Sequence, residues 1–311
     1  MWLYDLQEDD VPMDVNHIIV RADAADFKAP AAYQGRASGY TRWSMVDEAG
    51  PAVHTGFGLN ALEAGGEVAR HVHSYEETFF VVDGAPVLET VEATARLMPG
   101  DYGVIPVGSP HAWRNDGPGS GRWAEMLAPQ PRAERRGETF FVAPAPDSTP
   151  IAVDARDPRM RSFGHIDPGN MDVSRQTQDL LAQSASMRTA LLAYSGITVK
   201  MMVDSDLGAD LQTMFMVQYE PAGVAGAHDH PFEETYLILE GETIARFDGH
   251  EYRLGPGDMA FAGVGCVHEF SNPNNSVVRW LETQAPQPPG RHSYRFARDW
   301  TYLEGVLGTE S

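Results

Sequence analysis

HVHSYEE at residues 71–77 returns as HDHPFEE at residues 228–234, an offset of 228 − 71 = 157 positions. His71, His73 and Glu77 thereby match His228, His230 and Glu234, and at the same offset His111 matches His268. Successive side chains on an extended strand point to opposite faces, so the two histidines of each His-x-His pair share a face. The glutamate four residues on keeps that parity, and the fourth member, far downstream, must arrive from a neighbouring strand. Three neutral imidazoles and one carboxylate suit Fe(II), Mn(II), Co(II), Ni(II) or Zn(II), with one side of the ion left open to water or substrate. The expectation is one divalent transition metal per repeat, two per chain, with Glu77 and Glu234 also the candidate catalytic groups.

A single His-x-His on a strand is ordinarily a surface polar pair. Here six of the chain's 11 histidines fall at matched positions, which a surface pair does not explain. The repeat also runs well beyond the ligands. Gly66, Gly84, Gly100-Asp101, Gly108 and Asn115 recur as Gly223, Gly241, Gly257-Asp258, Gly265 and Asn272. Arg122-Trp123, Glu125 and Ala128 to Pro131 recur as Arg279-Trp280, Glu282 and Ala285 to Pro288. A period this long means two whole domains of one fold, because solenoid repeats are far shorter.

These residues resemble the two motifs of the cupin superfamily, and the duplication resembles its two-domain bicupins. Gly65, His71, His73, Glu77 and Gly84 fill the first motif, and Gly100, Pro106, Gly108, His111 and Asn115 fill the second. The second copy keeps every ligand but has Ala222 and Gly263 where the family has glycine and proline. The resemblance implies an all-β fold of two tandem cupin barrels, each a double-stranded β-helix or jelly roll. It covers about residues 50 to 131 and 210 to 288.

Local patterning supports a barrel without the name. Glu76 to Val82 and Glu233 to Leu239 are short apolar, β-branched and aromatic runs closed by Gly84 and Gly241. Even spacing of short strands and Gly, Pro, Asp and Asn turns suits an antiparallel barrel. The expected layout is an N-terminal extension plus first barrel over 1–145, a linker with short helices over 146–196, and a second barrel with a closing segment over 197–311. Val173 to Tyr194 carries apolar residues at helix-like spacing and reads as a packing or homo-oligomer contact. Trp300 to Leu307 reads as a closing helix, after the basic-aromatic run Arg291 to Trp300.

With 42% hydrophobic and 10% aromatic residues the chain has the composition of a folded globular protein. Its 23 basic and 44 acidic residues give a net charge of −21, which opposes binding to nucleic acid or an anionic membrane. The acidic N-terminus does not read as a signal peptide, and no stretch is long and apolar enough to span a membrane, so a cytoplasmic location is expected. The single cysteine, Cys266, excludes an intramolecular disulfide and reads as a small turn residue two positions before His268.

In Arg122-Trp123-Ala124-Glu125 and its copy, the glutamates either approach the metal as acid/base groups or pair with the duplicated arginines, and recurrence in both domains favours the pairing. The ligand spacing departs from that of bicupin oxalate decarboxylases and quercetin dioxygenases, whose glutamate lies one residue further on. The intact, open-sided ligand set points to a non-haem dioxygenase-type oxidoreductase acting on a small oxygen-bearing organic molecule. The alternatives are Lewis-acid chemistry in a lyase, isomerase or hydrolase, and a metabolite-binding cupin without turnover.

Overall fold

The computed structural model describes residues 15–172, 189–192 and 195–287. Two antiparallel β-barrels follow one another. In the first, strands Ala37–Val46, Gly56–His73, Glu76–Asp83, Asp101–Ile105, His111–Arg114 and Gly121–Ala128 belong to one continuous 11-stranded sheet. The second splits into a 7-stranded and a 4-stranded sheet. The split falls at Ala222-Gly223, between strands Thr213–Tyr219 and Val224–His228, where the first copy runs through its bend as one 18-residue strand.

Strand Glu76–Asp83 is buried on both faces over its first six residues, and parity assigns each face. Phe79 and Val81 join the apolar cluster inside barrel one, whereas Phe80 joins a second cluster shared with the other repeat. Its copy behaves alike: Tyr236 and Ile238 face the interior of barrel two, and Leu237 faces the shared cluster. Methionines from both repeats, among them Met45, Met126, Met202 and Met214, fill that shared core. Met suits a seam between two curved surfaces because its unbranched side chain adapts to irregular gaps. The same alternation turns Glu77 inward and leaves Glu76 facing the other domain.

The N-terminal strand His17–Val20, which the sequence groups with the first barrel, pairs with Met259–Ala262 of the second. The corresponding edge of the first barrel, Asp101–Ile105, is covered by Phe163–His165 from the linker. This arm also accounts for Gly263. Its N–H donates to Asn16 O at 2.9 Å, and a Cβ at this position would collide with the Asn16 side chain. A proline there would lack that donor. Asn16 Nδ2 donates in turn to Val264 O at 2.9 Å, so Gly263 docks the arm.

Part of the linker differs from expectation. Thr189–Leu192 is a strand paired with Ile197–Val203 at the end of the 7-stranded sheet. The remainder of the helical reading, and residues 291–311 with it, lie outside the described residues.

Candidate metal centres

All eight ligand candidates are buried, and they converge in two groups. In barrel one, His71 and His111 are cross-strand partners with ring centroids 4.1 Å apart, and His73 stands 4.8 Å from His111. Glu77 Oε2 lies 3.1 Å from His73 Nε2 and 3.6 Å from His111 Nε2. Barrel two repeats the arrangement. His228 pairs with His268 across strands, their rings 4.3 Å apart, and Glu234 Oε2 lies 2.7 Å from His230 Nε2 and 3.5 Å from His268 Nε2. One expectation fails locally: the chain bends at Ser74-Tyr75, so Glu77 comes from the next strand rather than continuing the strand of His71 and His73.

Every one of the six histidines has Nδ1 against a main-chain carbonyl, at 2.6–3.0 Å: Ala69, Tyr75, Ser109, Gly226, Phe232 and Cys266. A carbonyl only accepts, so each Nδ1 carries the proton and each Nε2 turns a lone pair inward. In barrel one this leaves His73 Nε2 and Glu77 Oε2, two acceptors, in contact, while His111 Nε2 and Glu77 Oε1 are buried with no hydrogen-bond partner. Buried polar atoms without partners are rare, and a cation satisfies all of them together. His71, His73, Glu77 and His111 therefore fit a divalent ion. Burial and the neighbouring His111 drive His71 down to about 3, so it is neutral and able to ligate at any physiological pH. Burial alone would raise Glu77, and positive charge on the side of the His111 and His73 rings outweighs it and lowers the carboxyl; with those rings neutral, a cation among them would supply that charge.

Barrel two differs in what surrounds its carboxylate. The Tyr236 hydroxyl lies against Glu234 Oε2 and 2.9 Å from His268 Nε2, and Gln284 Nε2 donates to Glu234 Oε1. The repeat-equivalent residues of barrel one are Phe79 and Leu127, which offer no hydrogen bond. Both substitutions are visible in the sequence only as mismatches between the copies. Tyr236 and Gln284 occupy the places where barrel one has unpartnered atoms.

Around the first centre, the Tyr75 ring stacks on His73 at 4.0 Å, and Tyr33 meets His71 edge-on at 5.3 Å. Both tyrosines also line a cavity of ≈130 Å³ with Tyr40, Arg42, Glu125 and Thr139. Glu125 pairs with Arg42 through a 2.8 Å bond to Nε, and not with Arg122, which reaches Asp83 on the surface. Parity explains this: Trp123 and Glu125 face inward, so Arg122 faces out. Arg279 likewise engages Glu240 and Gln218, while Glu282 accepts from Trp280 Nε1 at 2.9 Å. Burial and the Glu77 charge push Glu125 up to about 7 despite Arg42. Burial and Glu234 hold Glu282 far above the ordinary carboxylate range.

Two barrels with His-x-His-x3-Glu and a distal histidine define a duplicated β-barrel class, and comparison gives it a name. The Cupin domain family matches residues 58–127 and 215–283, and the chain belongs to the cupin family as a two-domain member. It is 30% identical over 101 residues to the tetracenomycin polyketide synthase protein TcmJ of Streptomyces glaucescens, covering 31% of this chain and 68% of that protein. Over 75 residues it is 43% identical to the dimethylsulfoniopropionate lyase DddQ of Ruegeria pomeroyi, covering 22% of this chain and only 37% of that one. Among solved structures, a putative glyoxylate-induced protein from Pseudomonas aeruginosa superposes with a TM-score of 0.62 at 14% identity, covering 94% of this chain and 96% of that one. The Lactobacillus farciminis oxalate decarboxylase formate complex gives a TM-score of 0.61 at 14% identity, covering 94% and 90%. At such identity the two structures speak to the fold. Among the described residues no helix is long and apolar enough to cross a membrane.

Proposed function

We propose that this bicupin is a metal-dependent enzyme acting on a small oxygen-bearing organic molecule, and that its first barrel carries a lyase-type reaction. The observation that carries the reading is the unpartnered pair His111 Nε2 and Glu77 Oε1, buried beside the tyrosine-lined cavity that holds Glu125. A divalent ion bound by His71, His73, Glu77 and His111 would supply Lewis-acid polarisation of a carbonyl or carboxylate oxygen. Tyr33 and Tyr75 wall the centre off from bulk water and orient the His71 and His73 rings. Glu125, whose carboxyl burial lifts above the ordinary carboxylate range, can take up or deliver a proton on the cavity side while Arg42 fixes the carboxyl. The second centre, with Glu234 engaged by Tyr236 and Gln284, serves the same donor set in a more constrained setting.

The lyase reading draws support from the relative called a dimethylsulfoniopropionate lyase. The oxygenase expected from the sequence uses the same open coordination face, so one experiment must separate the two. Protein loaded with Mn(II), Fe(II) or Co(II) is offered a panel of small hydroxy-, keto- and thio-substituted carboxylates in an oxygen-electrode cell. Bond cleavage without oxygen uptake supports the lyase. Oxygen uptake matching product reassigns the chain to the oxygenases. Glu77→Gln should abolish turnover, and Glu125→Gln should remove the limb of the rate profile near pH 7 while leaving metal content unchanged. Absence of turnover with every ion leaves a binding module.

A further inference from the structure

Outside both histidine–glutamate centres, a third cluster of ligating side chains sits where the N-terminal arm meets barrel two. His17 Nδ1 lies 3.6 Å from Asp248 Oδ2, Cys266 Sγ lies 3.4 Å from the same oxygen, and the three donor atoms are all within 4.8 Å of one another. The His17 side chain is 2% exposed and Cys266 is 1% exposed, while Asp248 keeps 22% of its side chain in solvent. His17 Nδ1 has no hydrogen-bond partner, since the Asp248 oxygen is beyond bonding distance. This buried lone atom points at the carboxylate and thiol rather than at any donor of the fold.

The cluster is also positioned as ligands are. His17 Nε2 meets the Tyr252 hydroxyl at 2.8 Å, so with the proton on Nε2 the Nδ1 lone pair faces Asp248 and Cys266. Asp248 Oδ1 accepts from Val267 N at 3.1 Å, which orients Oδ2 toward the other two donors. Tetrahedral zinc with one sulfur, one nitrogen and one oxygen ligand at ~2.0–2.3 Å sets neighbouring donors about 3.3–3.6 Å apart. The two measured edges fall at that spacing. The repeat does not account for the cluster: Asp248 and Cys266 correspond to Val91 and Ser109, neither a metal ligand of this kind.

We propose that His17, Asp248 and Cys266 form a separate binding site for a borderline-soft divalent cation of the zinc class. A solvent molecule entering beside Asp248 completes the tetrahedron, and the thiol proton leaves to solvent as the sulfur binds. The site ties the arm to the barrel through residues more than two hundred positions apart, so it acts as a removable staple rather than a catalytic centre.

Cobalt(II) tests the proposal, because Cys266 is the chain's single cysteine and the histidine–glutamate centres contain no sulfur. Metal-stripped full-length protein is titrated with Co(II) and followed by absorption. The expected result is a thiolate-to-cobalt charge-transfer band whose intensity at saturation corresponds to one of three cobalt ions bound per chain and which disappears on competition with Zn(II). Cys266→Ser should lose the band and bind one equivalent fewer, and His17→Gln and Asp248→Asn should each weaken the band-forming site at least tenfold. A wild-type protein that shows no sulfur band in excess Co(II) overturns the site without recourse to any variant. A band of unchanged affinity in both His17→Gln and Asp248→Asn overturns it as well, because the thiol would then be binding metal on its own.

Discussion

Glu76 and Glu233 are the same residue of the two copies, and each reaches into the other's domain. The Glu76 carboxylate accepts from the backbone N–H groups of Asp210 and Leu211 at 2.7 and 3.2 Å, and Glu233 accepts from Val53, His54 and Thr55 at 2.6–2.9 Å. Since 53 + 157 = 210, the receiving loops are themselves equivalent, and the pair forms a reciprocal clasp about a local twofold. Adjacent glutamates thus divide two tasks by strand parity alone: Glu77 and Glu234 enter the barrels, while Glu76 and Glu233 join them.

The clasp has a measurable energy. Hydrogen bonds to a charged acceptor contribute about 1.5–3 kcal/mol each, and removal leaves N–H groups unpaired at a buried seam. Glu233→Ala should therefore destabilise the protein by on the order of 3 kcal/mol in urea unfolding, and by more than Glu76→Ala, which releases fewer N–H groups. Equal, sub-kilocalorie effects would remove the clasp from the stabilising contacts.

Ala222 stands where the first copy has Gly65, and it adopts the same left-handed backbone, φ 61° against 73°. A Cβ in that region adds roughly 1–2 kcal/mol of steric strain. Ala222→Gly should raise stability by about 1 kcal/mol after the extra freedom of glycine in the unfolded chain is subtracted. A variant less stable than the parent would show that the turn is already relaxed.

Mn(II), which prefers nitrogen and oxygen over thiolate, should fill only the histidine–glutamate centres and reach two equivalents per chain. His73→Ala and His230→Ala should each remove about one. If ligand-field symmetry were the whole story the two would bind alike, but Tyr236 and Gln284 already satisfy Glu234, so the second centre should exchange its ion at a different rate. Two indistinguishable off-rates in electron paramagnetic resonance would contradict that asymmetry.

His165 donates from Nδ1 to Asp101 at 2.7 Å, which raises its imidazole above the ordinary range against the opposing effect of burial. A raised folded-state pKa stabilises the protein fully below the unfolded value of about 6.5, and the contribution fades as pH rises through the folded value. The stability gap between the parent and His165→Gln should therefore be largest below about pH 6 and shrink steadily as pH rises above about 6.5. A gap that widens with pH would reverse the assignment.

The two histidine–glutamate clusters were legible because duplication prints them twice, in register, on short local patterns. The strand runs beginning at Glu76 and Glu233 were legible for the same reason. What the sequence hid was nonlocal. Nothing in Arg122-Trp123-Ala124-Glu125 reveals that Arg42, from a different strand, would be the partner of Glu125. Tyr236 and Gln284 were in view as departures from Phe79 and Leu127, but a hydroxyl's partner is set by the fold that surrounds it. Gly263 was in view only as a departure from the family's proline, and its role, making room for Asn16, is set by the arm that packs on it.

The pairing of His17–Val20 with Met259–Ala262 has a consequence for how the molecule is made. On a ribosome adding about 5–20 residues per second, the arm emerges roughly 12–50 s before the strand that receives it. During that interval barrel one can close, its own edge capped by Phe163–His165, while the arm's backbone donors and acceptors go without their final partners. The second barrel is finished by the earliest described segment of the chain, a closing stitch drawn from before the first barrel.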